Sequence, residues 1–221
     1  MYKYVMIFSK TGVICYTSHL DLMRFFNRAF KKAGIKLEYS KGFNPHPRMG
    51  FAQPLSLGYE GLNELIEFET VEDNDPDEIA GILSDIMPDG LTIKNCSRWD
   101  GKKKTLAART EAAKYHIRIP VGSDFCIDDS DITESYMRQD KITALKKKKK
   151  HSELQEIDIK PMIRQLQMVN KDNAVEITAV LDSGSISNLS PELLIDTVKD
   201  RFGIDTDRCD IDVRRERIYY T

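Results

Sequence analysis

Within one stretch of thirty residues the chain gathers His19, Arg24, Arg28, Tyr39, Lys41, His46 and Arg48. Two imidazoles can share general-acid and general-base roles near neutral pH without a metal. With Tyr39 and Arg24 beside them, His19 and His46 have the chemistry to cleave an RNA backbone through its 2′-hydroxyl. The same stretch also suits binding alone. Phe43 offers a face for stacking, while the arginines and lysines offer charge to phosphates. A metal centre is not expected, because no two histidines lie four apart and the acids from Glu67 to Glu78 follow no ligand pattern.

These residues sit on a helix and on the loop that follows it. Ser18 with Asp21 three positions on is a helix-start pattern, and Gly34 is a stop. Leu22, Phe25, Phe26, Ala29 and Ala33 recur at helical spacing and face a core, leaving Arg24, Arg28, Lys31 and Lys32 on the other side. In the loop, Tyr39, Ser40, Lys41, Gly42, Phe43 and Asn44 lead to His46, which is held between Pro45 and Pro47. Prolines fix φ and remove main-chain donors, so the segment cannot be a central strand, and Gly42 allows a sharp bend. A structural turn whose aromatic plugs a core is the competing reading of the loop.

Periodicity gives strands over 3–8, 50–57, 62–70 and 91–96, with helices over 18–33 and from Pro76 to the residues before Pro88. This is a βαββαβ order. The second half repeats it over 114–119, 131–139, 154–169, 174–181, a helix capped by Ser190, and 211–219, with a break expected at Pro161. The expectation is an α+β chain of tandem ferredoxin-like domains with antiparallel sheets, 1–111 carrying the helix and loop and 112–221 carrying a lysine-rich tip. That tip, Lys146, Lys147, Lys148, Lys149 and Lys150, is a secondary basic patch for phosphate, or equally a solvated loop. Arg98, Trp99 and Lys102 to Lys104 could extend the same surface.

With 41% apolar and 31% charged residues the composition is that of a globular protein, and no apolar run is long enough to span a bilayer. The start lacks a cleavage pattern, so the expected location is cytoplasmic. Net charge is only −2, yet residues 1–50 carry nine lysines and arginines against Asp21 and Glu38, while 60–89 carry acids and no base. One positive and one negative surface are expected. Cys15, Cys96, Cys126 and Cys209 are far apart, which suits free thiols rather than zinc or disulfides. Three closely spaced cysteines for an iron–sulfur cluster are absent from this sequence.

SHLDLMR, then YSKGFNPHPRMGFAQPLSLG, then Glu64 in NELIEFE resembles the bacterial radical-SAM-linked domain of unknown function, found beside or fused to cobalamin-binding radical SAM proteins. The lysine run followed by EIDIKPMIRQL looks like that family's basic hairpin and its following segment. The resemblance implies a radical SAM partner and a link to RNA or translation. It places the iron–sulfur cluster, S-adenosylmethionine and cobalamin in the partner, with no cofactor in this chain.

Tandem ferredoxin-like domains with histidines also resemble the CRISPR repeat-processing endoribonucleases, in architecture only. The element order is similar to that of tRNA pseudouridine synthases too, but their catalytic aspartate segment has no counterpart, and Asp21 reads as a capping or ion-pair residue. The expected function is an RNA-associated accessory protein, not an enzyme on its own, that presents RNA to a radical SAM partner. A metal-independent endoribonuclease using His19 and His46, and an interaction module docking an acidic partner surface, are the alternatives.

Overall fold

The computed structural model describes residues 1–99, 104–122, 125, 129–147 and 154–221. Its strands are β1 (Tyr2–Lys10), β2 (Met49–Phe51), β3 (Glu60–Thr70), β4 (Leu91–Arg98), β5 (Thr110–Pro120), β6 (Thr143–Lys147), β7 (Leu154–Asp158), β8 (Ile163–Lys171), β9 (Ala174–Asp182) and β10 (Asp212–Tyr220). Its helices are α1 (His19–Lys32), α2 (Pro76–Ser84), α3 (Leu106–Arg109), α4 (Asp129–Met137) and α5 (Pro191–Phe202).

Two separate antiparallel ferredoxin-like sheets are not what these elements build. One mixed sheet runs in the order β4-β1-β3-β10-β5-β9-β8, with β2 also on β3, and β10 lies parallel to β3. Strands β6 and β7 form a small sheet of their own. The tandem expectation failed because element order says which strands exist and not which neighbours they choose. The C-terminal strand pairs with β3 instead of closing a second sheet, and side chains far apart in sequence fix that choice. The chain divides into two compact units, residues 1–110 with 215–221, and residues 111–214.

In the first unit, β1 reads as nearly continuous apolar sequence because both of its faces are covered. Tyr4, Met6 and Phe8 meet Phe26 and Phe30 of α1 and Ile79 and Leu83 of α2, all buried. Phe8 and Phe26 are edge to face at 5.1 Å, and Phe30 and Phe68 lie 4.6 Å apart, geometries that add to simple burial. On the other face, Val5 packs with Leu65, Leu106 and Ile218. Helix α1 begins where expected: the Asp21 N–H donates to Ser18 Oγ at 3.2 Å. It is followed by Gly34 at φ +73°, a conformation glycine adopts without steric penalty. Phe26 is fully buried and Phe25 only partly.

In the second unit, β5, β9 and β8 are antiparallel, and a two-residue turn at Asp172 and Asn173, both at positive φ, joins the last pair. The segment 154–169 does break near Pro161, where a 3-10 turn over Lys160–Met162 separates β7 from β8. Ser190 and Pro191 open α5 as its sequence requires, and Tyr136 and Thr197 share a buried hydrogen bond at 2.7 Å.

Candidate functional site

Helix α1 presents Arg24, Arg28, Lys31 and Lys32 on its exposed side. Arg24 reaches back to Asp21 at 3.0 Å, and the Ser18 hydroxyl, followed by Arg24, holds the Asp21 carboxyl below its ordinary value. After the helix the chain doubles back on itself. The Glu38 N–H donates to Glu69 O at 2.8 Å, Arg48 N–H to Glu38 O at 2.7 Å and Glu69 N–H to Arg48 O at 2.9 Å, so the two ends of the loop sit together on β3. Tyr39 and Pro47 form a further antiparallel bridge.

Above this base, Ser40 N–H donates to His46 O at 2.8 Å while His46 N–H donates to Ser40 Oγ at 2.9 Å. These reciprocal bonds clamp a tip of Lys41, Gly42, Phe43, Asn44 and Pro45, all exposed. Gly42 takes φ +140° there. Phe43 has its whole side chain in solvent, at 112% relative exposure, so it plugs no core. Tyr39 is exposed at the base of the loop and His46 is exposed beside the tip.

The two histidines of the proposed acid–base pair have different surroundings. His19, at the first position of α1, packs edge-on against Phe51 with ring centres 5.3 Å apart. It lines a small recess with Lys10, Gln53 and Glu64; His46 does not line that recess. Burial, and then the positive Lys10, hold His19 below the ordinary imidazole value, so the ring is neutral at neutral pH. Lys10 is itself buried and donates to Cys15 O at 3.0 Å and Thr17 O at 2.8 Å, and desolvation lowers its pKa.

Beneath the recess lies a buried ion pair. Arg215 Nε and Nη2 donate to the two oxygens of Glu64 at 2.9 and 2.5 Å, and the same guanidinium reaches the carbonyls of Gln53 and Pro54 at 3.0 and 3.3 Å. Asn63 Nδ2 adds a bond to Glu216 O at 2.7 Å. These contacts hold β10 against β3.

A larger groove of about 470 Å³ opens in the same unit, lined among others by Lys3, Arg48, Phe51, Glu67, Trp99 and Lys104. Arg48, expected to bind, is ion-paired to Glu69 at 2.9 Å, and Lys3 holds the other oxygen of that carboxylate at 3.2 Å. Glu67 accepts the Leu106 N–H at 3.0 Å, and desolvation raises its pKa. Arg109 lies over the Trp99 ring at 4.9 Å, and Tyr220 meets that ring edge-on. Arg48 thus belongs to this groove, whereas Arg24, Arg28, Lys41 and His46 are not among its lining residues.

Of the lysine patch, Lys146 and Lys147 belong to β6, a strand that the repeated lysines obscured in the sequence; Lys148, Lys149 and Lys150 lie outside the described residues. Sequence reasoning also passed over Lys10, Glu67 and Arg215. Glu67, between Ile66 and Phe68, is a charge embedded in an apolar strand pattern, and Arg215 falls on the alternation that buries Val213, which are the signals that could have found them; Lys10, at the end of β1, carries no such signal. Asp207, Cys209 and Asp210 bring ligand-type atoms within 4.8 Å of one another at an exposed turn, an arrangement exposed acids adopt without an ion.

No curated protein matches the chain. Among solved structures it is similar to a chain of "Crystal Structure of a Cbf5-Nop10-Gar1 Complex" at 10% identity and TM-score 0.54, over 97% of this chain and 48% of that one. That is a likeness of fold alone, and this chain spans about half the length of the other. A second match, "Crystal Structure of an Unknown Protein from Galdieria sulphuraria", covers 97% of this chain and 98% of that one at 14% identity, and its TM-score of 0.29 carries no argument. The signature helix and loop fall within residues 3–191, which match the model of the family described as "Uncharacterized protein conserved in bacteria (DUF2344)", and the chain belongs to that radical-SAM-linked family.

Proposed function

We propose that this protein is an RNA-associated accessory factor that holds an RNA strand on the α1 face and the 39–48 loop and presents it to a radical SAM partner. The observation that carries this reading is the loop tip: a fully exposed Phe43 beside Lys41, on a base clamped by Ser40 and His46. Folding gives no reason to hold an aromatic ring out in water. A base stacked on such a ring contributes about 1–3 kcal/mol, and neighbouring cations add a sequence-independent attraction to phosphates. The exposed cations of α1 supply that charge.

The partner half of the reading rests on the family's radical SAM context. It is supported by apolar side chains open to solvent near the start of α1, namely Val13, Tyr16, Leu20 and Leu57, which suit a protein surface better than a phosphate chain. Presentation is favoured over cleavage because His19 sits in a recess beside Lys10 while His46 rides on the loop. The test is a metal-free incubation of RNA with the protein, with capture of a radical SAM enzyme from the same organism. Intact RNA and stable capture are expected. Cleavage that disappears in His19→Ala or His46→Ala would establish the nuclease instead.

A further inference from the structure

The groove beside the loop has a composition that the RNA reading leaves unused, and its chemistry is specific. Its volume of about 470 Å³ falls within the range of small-ligand sites, roughly 300–1,000 Å³. Trp99 lines it and is half-buried, so a flat ring has one aromatic surface to lie against, while the Phe51 ring packs with Phe8 and Phe26 on the opposite face of the sheet. Lys3, Arg48 and Lys104 bring three cations to it, and Glu69 is matched by two of them, Lys3 and Arg48. Glu67 differs. It accepts a hydrogen bond from the main-chain N–H of Leu106 and feels the charge of Lys3, whose ammonium is paired with Glu69 instead. A half-buried carboxylate with acceptor capacity left over, opening into a groove lined by Trp99, is a receptor for adjacent N–H donors on a planar ring.

We infer that this groove binds a single guanine nucleotide unit, with the N1–H and N2–H edge of the base on the Glu67 carboxylate, the ring against Trp99, and the phosphate on the Lys3, Arg48 and Lys104 side. Of the four RNA bases, guanine alone offers two adjacent donors to one carboxylate on its Watson–Crick edge, and unstacked bases are read on that edge with aromatic support. The unit is either a free nucleotide or one unstacked residue of a strand. This inference rests on the proposed RNA binding and adds the base that a bound strand would place here.

Trp99 is the chain's single tryptophan, so its fluorescence reports on the groove directly. The protein is titrated with guanosine monophosphate, inosine monophosphate, ribose 5-phosphate, and short oligoribonucleotides with and without one guanosine. Saturable quenching by guanosine monophosphate or by the guanosine-containing strand is expected, and which of the two binds tells the free source from the strand. Loss of the N2 amine in the inosine compound, and Glu67→Gln, should each weaken binding by about tenfold or more, the low end of a bidentate base contact. Glu67→Gln retains an acceptor for the Leu106 N–H, so a melting curve no lower than wild type separates weakened recognition from unfolding. Quenching equal for ribose 5-phosphate and guanosine monophosphate, quenching unchanged in Glu67→Gln, or no saturable quenching by any probe would overturn the inference. RNA binding that persists without groove binding, read by its dependence on Arg24 and Arg28, would leave the accessory reading standing by itself.

Discussion

Removing Arg215 should destabilise the protein more than removing an ordinary surface arginine, because it anchors the strand that the element order misplaced. Arg215 and Glu64 have side chains only 3% and 4% exposed. The guanidinium makes two charge-assisted bonds to Glu64 and two more to the carbonyls of Gln53 and Pro54. In Arg215→Met the Glu64 carboxylate stays buried without its partner and two carbonyls lose their donors. Breaking one side of such a pair costs about 3–5 kcal/mol. For a chain of this length that is a fall of roughly 6–20 °C in melting temperature. The double variant Glu64→Leu with Arg215→Met leaves no uncompensated charge and should recover a large part of the loss, since apolar replacements of buried pairs are often neutral or better. Urea denaturation of both single variants and the double closes the cycle and yields the coupling between the two sites. A single-variant loss below about 1 kcal/mol, the range of solvated surface pairs, would refute the claim that this pair pins β10 beside β3.

Three further outcomes follow from the first unit. Phe26→Ala should cost about 3–5 kcal/mol in thermal or urea unfolding, since Phe26 is fully buried and touches Phe8, Phe25 and Phe51 edge-on; an unchanged melting curve would mean the helix packs by another face. Because burial lowers the His19 pKa, the unfolded chain takes up the proton first, and stability should fall as pH drops through the ordinary value of 6.5 toward the lower folded one. His19→Phe should flatten that fall, measured as melting temperature against pH, and a slope identical to wild type would contradict it. Burial raises the Glu67 pKa instead, so its ionisation works against the fold as pH climbs from 4.5 to the folded value and beyond. Glu67→Gln should therefore melt higher than wild type near pH 8 and equally near pH 4, and a lower melting point at pH 8 would show that the carboxylate is a net support.

Local features were legible where a short-range rule decides them. The start of α1 is written in Ser18 and Asp21, its buried side in the spacing of Leu22, Phe26 and Ala29, and the start of α5 in Ser190 and Pro191. Sheet order was not legible, because Glu64 and Arg215 are 151 residues apart and nothing local ties one to the other. The prolines announced a stiff loop, yet its clamp depends on Ser40 meeting His46 across the turn, a contact visible only once the chain has returned. Arg48 read as a free binding cation because its partner Glu69 lies on β3, beyond the reach of spacing arguments. Lys10 counted only among the positive charges of residues 1–50, whereas the turn at Cys15 and Thr17 folds over it and supplies two carbonyls.

The claim that α1 and its loop bind RNA is tested most directly by the salt dependence of that binding. Wild-type protein and the Arg24→Ala, Arg28→Ala double variant are titrated with single-stranded RNA over a range of salt concentrations. Neutralising one phosphate fewer takes about 0.7 from the slope of log K against log salt, so the double variant should show a slope shallower by about 1.4 and weaker binding at low salt. Equal slopes for the two proteins, or binding by neither, would contradict the account.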